Sequence, residues 1–559
     1  MTRSARHSPR RASCRKEATD ESGFYREVQI LSIIAVLSAF VGLGPALGQE
    51  DPTAQEDATE QEDVTGQEDA TEQEDVTGQD DDYLTGDVPE WLEEYGYEDT
   101  HDDGPAPKVA NQGVSKGGAP RKGASAARKC DCIKCRDKLT GDWGGFRSSL
   151  QQEGIHYRGR VTQFGFGVGG GVNPPVPALF DQLGIAGGDT FEYTGNSRHD
   201  FLVDLDKFGG LPHSKFVVTM ENVWGRWGNV SFETGAFSPA VFNATMPVDF
   251  EAQGVPRLTN FMYVQPLSEQ FIFTVGKTRT IGIADNNKFA GGDGSDQFVN
   301  QTFVANPLMV PQIPLSTFVV GAAMPQEWGN IALSVMDTQD RSTDYFEVDT
   351  LFSQGAIAFG QVQVDTEFFD MPGEQHVGGF YKNVDQINLQ FTPLPPTYPY
   401  PPAPPGAPPF ATLSDTYAIF YGFDQYLVTY GKPDARGNTE GWGLFGRASL
   451  ADGGTGNPNW GAWHLSAGIG GNSPLKNRRG KGDRFGLGYA YTATSTEFGA
   501  IPRFLFDPRD AQVIEAYYRY KVTPAVEVTP DVQFVHGMLG GLTGGDDAIV
   551  AGIRLNIHL

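Results

Sequence analysis

Residues 551–559 read Ala-Gly-Ile-Arg-Leu-Asn-Ile-His-Leu, and their alternation decides the fold. In an extended chain, successive side chains point to opposite faces. Ile553, Leu555, Ile557 and Leu559 therefore share one face, and Gly552, Arg554, Asn556 and His558 share the other. The neighbouring runs repeat the pattern. Ile514, Ala516, Tyr518, Tyr520 and Val522 oppose Glu515, Tyr517, Arg519 and Lys521. Val526, Val528, Val532 and Phe534 oppose Glu527, Thr529, Asp531 and Gln533, with only Thr523, Pro524 and Ala525 between the two runs, as in a tight turn. Phe485, Leu487, Tyr489 and Tyr491 oppose Arg484, Gly486 and Gly488, while Trp463, Leu465, Ala467 and Ile469 oppose His464, Ser466 and Gly468.

Periodicity alone does not separate a soluble sandwich, with its apolar face inside, from a membrane barrel, with its apolar face outside. The rest of the chain does. Residues 1–28 carry Arg3, Arg6, Arg10, Arg11, Arg15 and Lys16, followed by the apolar run ILSIIAVLSAFVGLGPALG with small residues at Ala46 and Gly48. This reads as a signal peptide over residues 1–48, cleaved before Gln49. No later stretch is apolar enough for a membrane helix, so strands must do any spanning. A final strand carried to Leu559 on an apolar residue fits an outer-membrane barrel better than a soluble domain. The expected fold is all-β: a transmembrane antiparallel barrel of about 16 strands. From Leu139 onward, roughly sixteen to eighteen short alternating runs lie between Gly, Asn, Asp and Pro clusters.

The 559 residues include 70 glycines and carry a net charge of −28, which argues against nucleic acid as a partner. Most of that charge is local. Residues 49–104 hold about two dozen carboxylates and no Lys or Arg, and QEDATEQEDVTG at 55–66 recurs at 67–78. This composition cannot bury a core and is expected to be a disordered, solvated spacer. Residues 105–138 form a basic Gly/Ala/Lys-rich linker, and residues 49–138 together offer a contact to cell-envelope polymers. The linker contains Cys130, Cys132 and Cys135. Structural zinc wants four ligands, and His156 is the nearest later histidine. A local disulfide between two of the three, with Cys130 and Cys135 as the candidates, is favoured over a metal. Residues 139–559 are assigned to the barrel.

That region resembles the OprB family of carbohydrate-selective porins. The resemblance rests on LTGDWGG at 139–145 with the short helical stretch 146–154 after it. It continues through VGKTRTIGIADNNKFAGG (275–292), GLFGRASLADGG (443–454) and GDRFGLGYAY (482–491). It closes on IEAYYRYKVTPAVEVTPDVQFVHG (514–537) and AIVAGIRLNIHL (548–559). It implies an outer-membrane porin embedded in lipid that passes small carbohydrates passively, with a homotrimer left open. The chain departs from the family at Leu559, where an aromatic is usual, and in its charged N-terminal extension. The proline run 393–409 reads as an elongated external loop.

No G-x-S-x-G, H-E-x-x-H or Walker-type motif is present, so no catalytic residue, metal or cofactor is assigned. The pore-lining candidates are Glu515, Tyr517, Arg519, Lys521, Glu527, Asp531, Gln533 and Arg554, read as facing a water-filled lumen. Any one of them also fits a solvated wall position with no selective role. Paired carboxylates such as Glu515 and Glu527 leave glycoside hydrolysis as a minor reading. Trp224 and Trp227 suit an interfacial aromatic belt as well as a sugar platform. The competing functions are a structural barrel tying the envelope together through its charged extension, and a secreted β-rich enzyme acting on polysaccharide.

Overall fold

The computed structural model describes residues 134, 136–171, 189–236, 238–246, 254–282, 285–344, 348–390, 412–431, 439–452, 459–478, 481–500, 503, 508–537 and 547–559. The signal peptide, the acidic repeat, the cysteines and the proline run 393–409 lie outside these residues.

The first nine strands are β1 (Ile155–Gly170), β2 (Thr190–Asp204), β3 (Lys215–Gly225), β4 (Arg257–Ser268), β5 (Phe271–Arg279), β6 (Ser316–Gln326), β7 (Gly329–Asp337), β8 (Ala356–Phe368) and β9 (Met371–Asn383). The two-residue strands β10 (Gln386–Ile387) and β11 (Thr412–Leu413) pair with each other. Then come β12 (Thr416–Thr429), β13 (Gly441–Ala451), β14 (Gly461–Asn472), β15 (Arg484–Thr494), β16 (Ala511–Thr523), β17 (Val526–His536) and β18 (Asp547–His558). Sixteen of these form one closed antiparallel barrel in which β9 pairs with β12 and β1 closes on β18. Closure leaves no unpaired strand edge, as spanning a bilayer requires.

The alternation expected at residues 551–559 is the register of β18. Ile549 and Ile553 stand exposed on the outer face, while Val550, Arg554 and Asn556 are buried on the inner one. The same holds for β16 and β17, where Ile514, Tyr520, Val522, Val532 and Phe534 face outward. Connections differ in length at the two ends. One end carries the two-residue turns 269–270, 327–328, 369–370 and 524–525, and the other carries runs such as 226–256, 280–315 and 338–355. Outer-membrane barrels put short turns in the periplasm and long loops outside. Exposed aromatics gather at both ends: Phe191, Tyr193, Tyr381, Tyr417 and Trp463 near the long loops, and Phe208, Phe271, Trp328, Phe368 and Tyr520 near the short turns. Trp224 joins the outer group, its Nε1 donating to the Tyr193 hydroxyl at 3.1 Å. These are the two girdles that mark the membrane interfaces.

The motif before β1 acts as a clamp. The Asp142 carboxylate accepts from the backbone N–H and the hydroxyl of Ser148, both at 2.8 Å, in the first turn of the helix Phe146–Gln152. That helix presents Arg147, whose guanidinium lies 4.9 Å from the Trp143 ring and 5.1 Å from the Tyr157 ring. Its Nη2 donates to the Leu559 backbone oxygen at 2.8 Å, and the Leu139 N–H donates to His558 O at 2.7 Å. LTGDWGG thus ties the entry of the barrel to its last strand.

An outward position on β18 tests the lipid-facing assignment. Ile553→Arg should destabilise the barrel by about 2–4 kcal/mol at mid-membrane depth, measured by denaturant unfolding in lipid vesicles. A change under about 0.5 kcal/mol, the size expected at a neutral surface site, would place Ile553 away from the bilayer.

Candidate translocation pathway

The bore of the barrel is not simply filled with water. Between β5 and β6, residues 280–315 fold inward, with a helical turn at Gln301–Val304. Phe289, Phe298, Phe303, Ala290 and Val299 of this segment pack with Phe164, Phe166, Phe445, Tyr517, Val535 and Val550 of the wall in one buried cluster. Residues 226–246 lie against it: the Phe242 N–H donates to Val299 O and the Gln301 N–H to Pro239 O, each at 3.0 Å.

Glycines on the inner wall make the fit. A Cβ on Gly486 would sit 2.7 Å from Phe298 Cζ, and one on Gly488 would sit 2.6 Å from Phe303 Cε1. The GDRFGLGYAY stretch is therefore a pair of slots for two phenylalanines of the inward segment.

Irregular backbone in such a place needs hydrogen-bond partners, and the wall supplies them. The N–H groups of Val299 and Asn300 donate to the Glu515 carboxylate at 2.5 and 3.0 Å. Arg554 donates to Gly294 O at 2.8 Å and Asn556 to Ser295 O at 2.5 Å. Arg447 donates to Phe303 O, Ala290 O and Asp285 O at 2.7, 2.8 and 3.0 Å, and its Nε lies 3.0 Å from the Asp285 carboxylate. Lys382 donates to Gln312 O at 3.0 Å.

At the tip of the segment, Asp293 meets three arginines: Arg160 at 2.5 Å, Arg279 at 3.3 Å and Arg198 at 3.4 Å. Arg198 also reaches Asp200 at 2.9 Å, and Arg279 lies 3.5 Å from Glu221, so the positive charge is shared among three acids. Burial works against the Asp293 charge, but the Arg160, Arg279 and Arg198 guanidiniums outweigh it and hold the carboxyl well below its ordinary value of 3.8. Asp285 is treated alike: burial opposes its charge, while Arg447 and His376 lower its pKa.

The eight pore-lining candidates all lie on inner-face positions, but most do not meet open water. Glu515, Tyr517, Glu527, Asp531, Gln533 and Arg554 are buried, chiefly beneath the two inward segments; only Arg519 and Lys521 keep partial exposure. Their polarity serves protein groups. Gln533 donates to Ala240 O and accepts from Asn300, both at 3.0 Å. Glu527 lies 3.6 Å from both Arg519 and His558. Glu515 and Glu527 do not face each other: Glu515 is registered with Gln533, and Glu527 with Lys521 and Asn556. Among the described residues no group of three or more His, Cys, Asp or Glu could hold a metal ion.

Beside the inward segment, three charged groups outside the eight candidates keep solvent access. The Asp296 side chain is 38% exposed, Lys288 31% and Arg484 25%. Arg484 lies 3.8 Å from Asp296 and donates to Lys288 O at 3.4 Å, and Lys288 lies 3.7 Å from Glu374. With Arg519 and Lys521 they form a charged strip between β15–β16 and the inward segment. One signal could have pointed there. Residues 280–315 are too long for a plain strand connection, and their three phenylalanines need burial.

A closed sixteen-stranded barrel, apolar outside, charged within and narrowed by an inward-folded connection, is an outer-membrane porin. The model of the family described as carbohydrate-selective porin, OprB family, matches residues 189–559. The chain belongs to the OprB family. Its opening motif at 139–145 lies before the matched span. The high-pH structure of Pseudomonas putida OprB superposes with a TM-score of 0.58 at 19% identity, covering 77% of this chain and 100% of that one. The low-pH structure of the same protein gives 0.43 at 14% identity, covering 76% and 99%. A mutant of the Rh. blastica porin gives 0.37 at 10% identity, covering 72% and 100%. No curated protein matches. Family and fold together indicate an integral outer-membrane channel rather than an enzyme.

Two measurements probe the clamp on the inward segment. Glu515→Ala leaves two buried N–H donors without a partner, each costing about 1–3 kcal/mol. The expected result is rapid flicker of the open-channel current, largely suppressed in Glu515→Gln, which keeps an acceptor. The second is pH. A depressed folded-state pKa contributes stability that is complete above the ordinary value of 3.8 and is lost as pH falls through the lower folded value. The noise that protonation of Asp293 produces should therefore appear only below about pH 4, and should be present already at neutral pH in Asp293→Asn; an Asp293→Asn channel as quiet as the native one would show that Asp293 is not the anchor.

Proposed function

We propose that small carbohydrates cross this porin by passive diffusion, along the charged strip of Lys288, Asp296, Arg484, Arg519 and Lys521. The observation that carries the proposal is that these side chains keep solvent access beside a segment pinned on its other flanks. Sugar hydroxyls both donate and accept, so they can exchange bonds with guanidinium, ammonium and carboxylate groups in turn. Such contacts must be weak and multiple if solute is to leave. Arg484 and Asp296, 3.8 Å apart, offer donor and acceptor side by side. In this reading Arg519 and Lys521 line the path, whereas Glu515, Tyr517, Glu527, Asp531, Gln533 and Arg554 shape it from behind.

The remaining assignments belong to the same proposal. Residues 1–48 direct export, residues 49–104 are a solvated spacer, residues 105–138 are a basic linker, and residues 49–138 together touch envelope polymers. Cys130 and Cys135 are its disulfide candidates, and the barrels assemble as a homotrimer.

Planar-bilayer recording tests the transport reading. Purified protein should conduct, and added oligosaccharide should reduce the current. Arg484→Ala should weaken the sugar block roughly threefold to tenfold, the worth of about one hydrogen bond. Conductance that no sugar reduces would overturn the carbohydrate reading and leave the porin standing; a silent barrel would favour the envelope-anchor function.

A further inference from the structure

The lumen wall is uneven. Buried arginines and acids are spread around it, but one patch shared by β6–β9 and β12 is apolar. Val319, Met336, Ile357, Phe359, Phe380 and Phe420 of the wall form one buried cluster with Met309 and Ile313, which belong to the far limb of the inward segment. Between this limb and the wall lies a cavity of about 90 Å³, bordered by Met262, Met309, Ile313, Val319, Met336 and Phe359.

One polar group at its edge is unusual. Asn306 is 1% exposed, and its Oδ1 accepts from the Ser449 hydroxyl at 3.1 Å and the Leu308 N–H at 3.0 Å. Asn306 lines the cavity, and its Nδ2 has no hydrogen-bond partner. Three other polar side chains of the lining are engaged elsewhere: Thr278 and Thr280 donate to the carbonyls of Arg279 and Pro314, and Asp285 is held by Arg447 and His376. A buried amide N–H left unmatched costs free energy that an acceptor would recover. Water wants two to four polar partners, and apolar cavities accept small apolar molecules instead.

We propose that this cavity is a binding site for a small amphiphile of the alcohol or ether class. Its apolar body sits among the methionines and Phe359, and its oxygen accepts from Asn306 Nδ2. Scaling from the 150 Å³ cavities that hold benzene, the ligand has about four non-hydrogen atoms. Because one wall of the site is the inward segment and the other is the barrel, an occupant bridges the two and stiffens the far limb. The site is separate from the charged strip and does not depend on which solute the pore passes.

The test is crystallographic, on the intact barrel soaked with 2-bromoethanol. The expected result is an anomalous bromine peak between Met309 and Met336, with the hydroxyl oxygen within hydrogen-bond distance of Asn306. Bromoethane, which lacks the oxygen, should show at least threefold lower occupancy at equal concentration, as loss of about one hydrogen bond implies. Ala332→Phe should fill the cavity and abolish the peak while the barrel keeps its heat-modifiable migration; if that variant misfolds, Ser334→Leu serves the same purpose. Bromine confined to the lipid-facing surface would overturn the proposal. So would a water at Asn306 that the alcohol does not displace, equal occupancy of the two probes, or a peak that persists in the filled variant.

Discussion

Backbone that leaves the sheet and enters the bore of a barrel takes its N–H and C=O groups away from bulk water, and every one of them then needs a partner. Residues 280–315 depend on that condition being met. Glu515 receives two amides, Arg447 serves three carbonyls, and Arg554, Asn556 and Lys382 serve one each. These wall groups come from four strands, β9, β13, β16 and β18, joined through Asp293 by the arginines of β1, β2 and β5. The barrel is therefore the template on which the constriction is shaped. A guanidinium suits this work better than an ammonium, because its fixed fork serves several oxygens at once and sheds its weaker hydration at lower cost.

The barrel itself was legible in the sequence. Period-two alternation is a local property, so Ile553 against Arg554 could be placed on opposite faces without knowledge of any partner. The short helix after LTGDWGG and the closing strand were equally local, and both stand where they were expected. What alternation could not distinguish was the medium on the polar side. Glu515 reads the same whether it meets water or the amides of Val299 and Asn300, which lie 216 and 215 residues away. The inward segment was unreadable for the same reason. Its Phe298 and Phe303 have no period to follow, and the glycines that receive them, Gly486 and Gly488, look like ordinary strand glycines until the two stretches are brought together.

The same geometry explains which charged groups remain useful for transport. Arg160, Arg198 and Arg279 are committed to the buried acids Asp293, Asp200 and Glu221, and moving any of them would strand a buried charge. Groups with access, such as Lys288, Asp296 and Arg484, are loosely paired at 3.7–3.8 Å and can exchange partners with a passing solute. Rigidity on one flank and exchangeable polarity on the other are thus produced by one division of labour among the wall residues.

The clamp at Arg147 bears on how the molecule is made. Its guanidinium reaches a backbone oxygen 412 residues further along the chain, so the contact exists only after every intervening strand has been laid down and the seam between β1 and β18 has closed. Pairings this distant form late, because the entropy of gathering the chain must be met before they give anything back. The Trp143, Arg147 and Tyr157 stack therefore serves as a latch that engages on a completed barrel and has nothing to grip on a partial one.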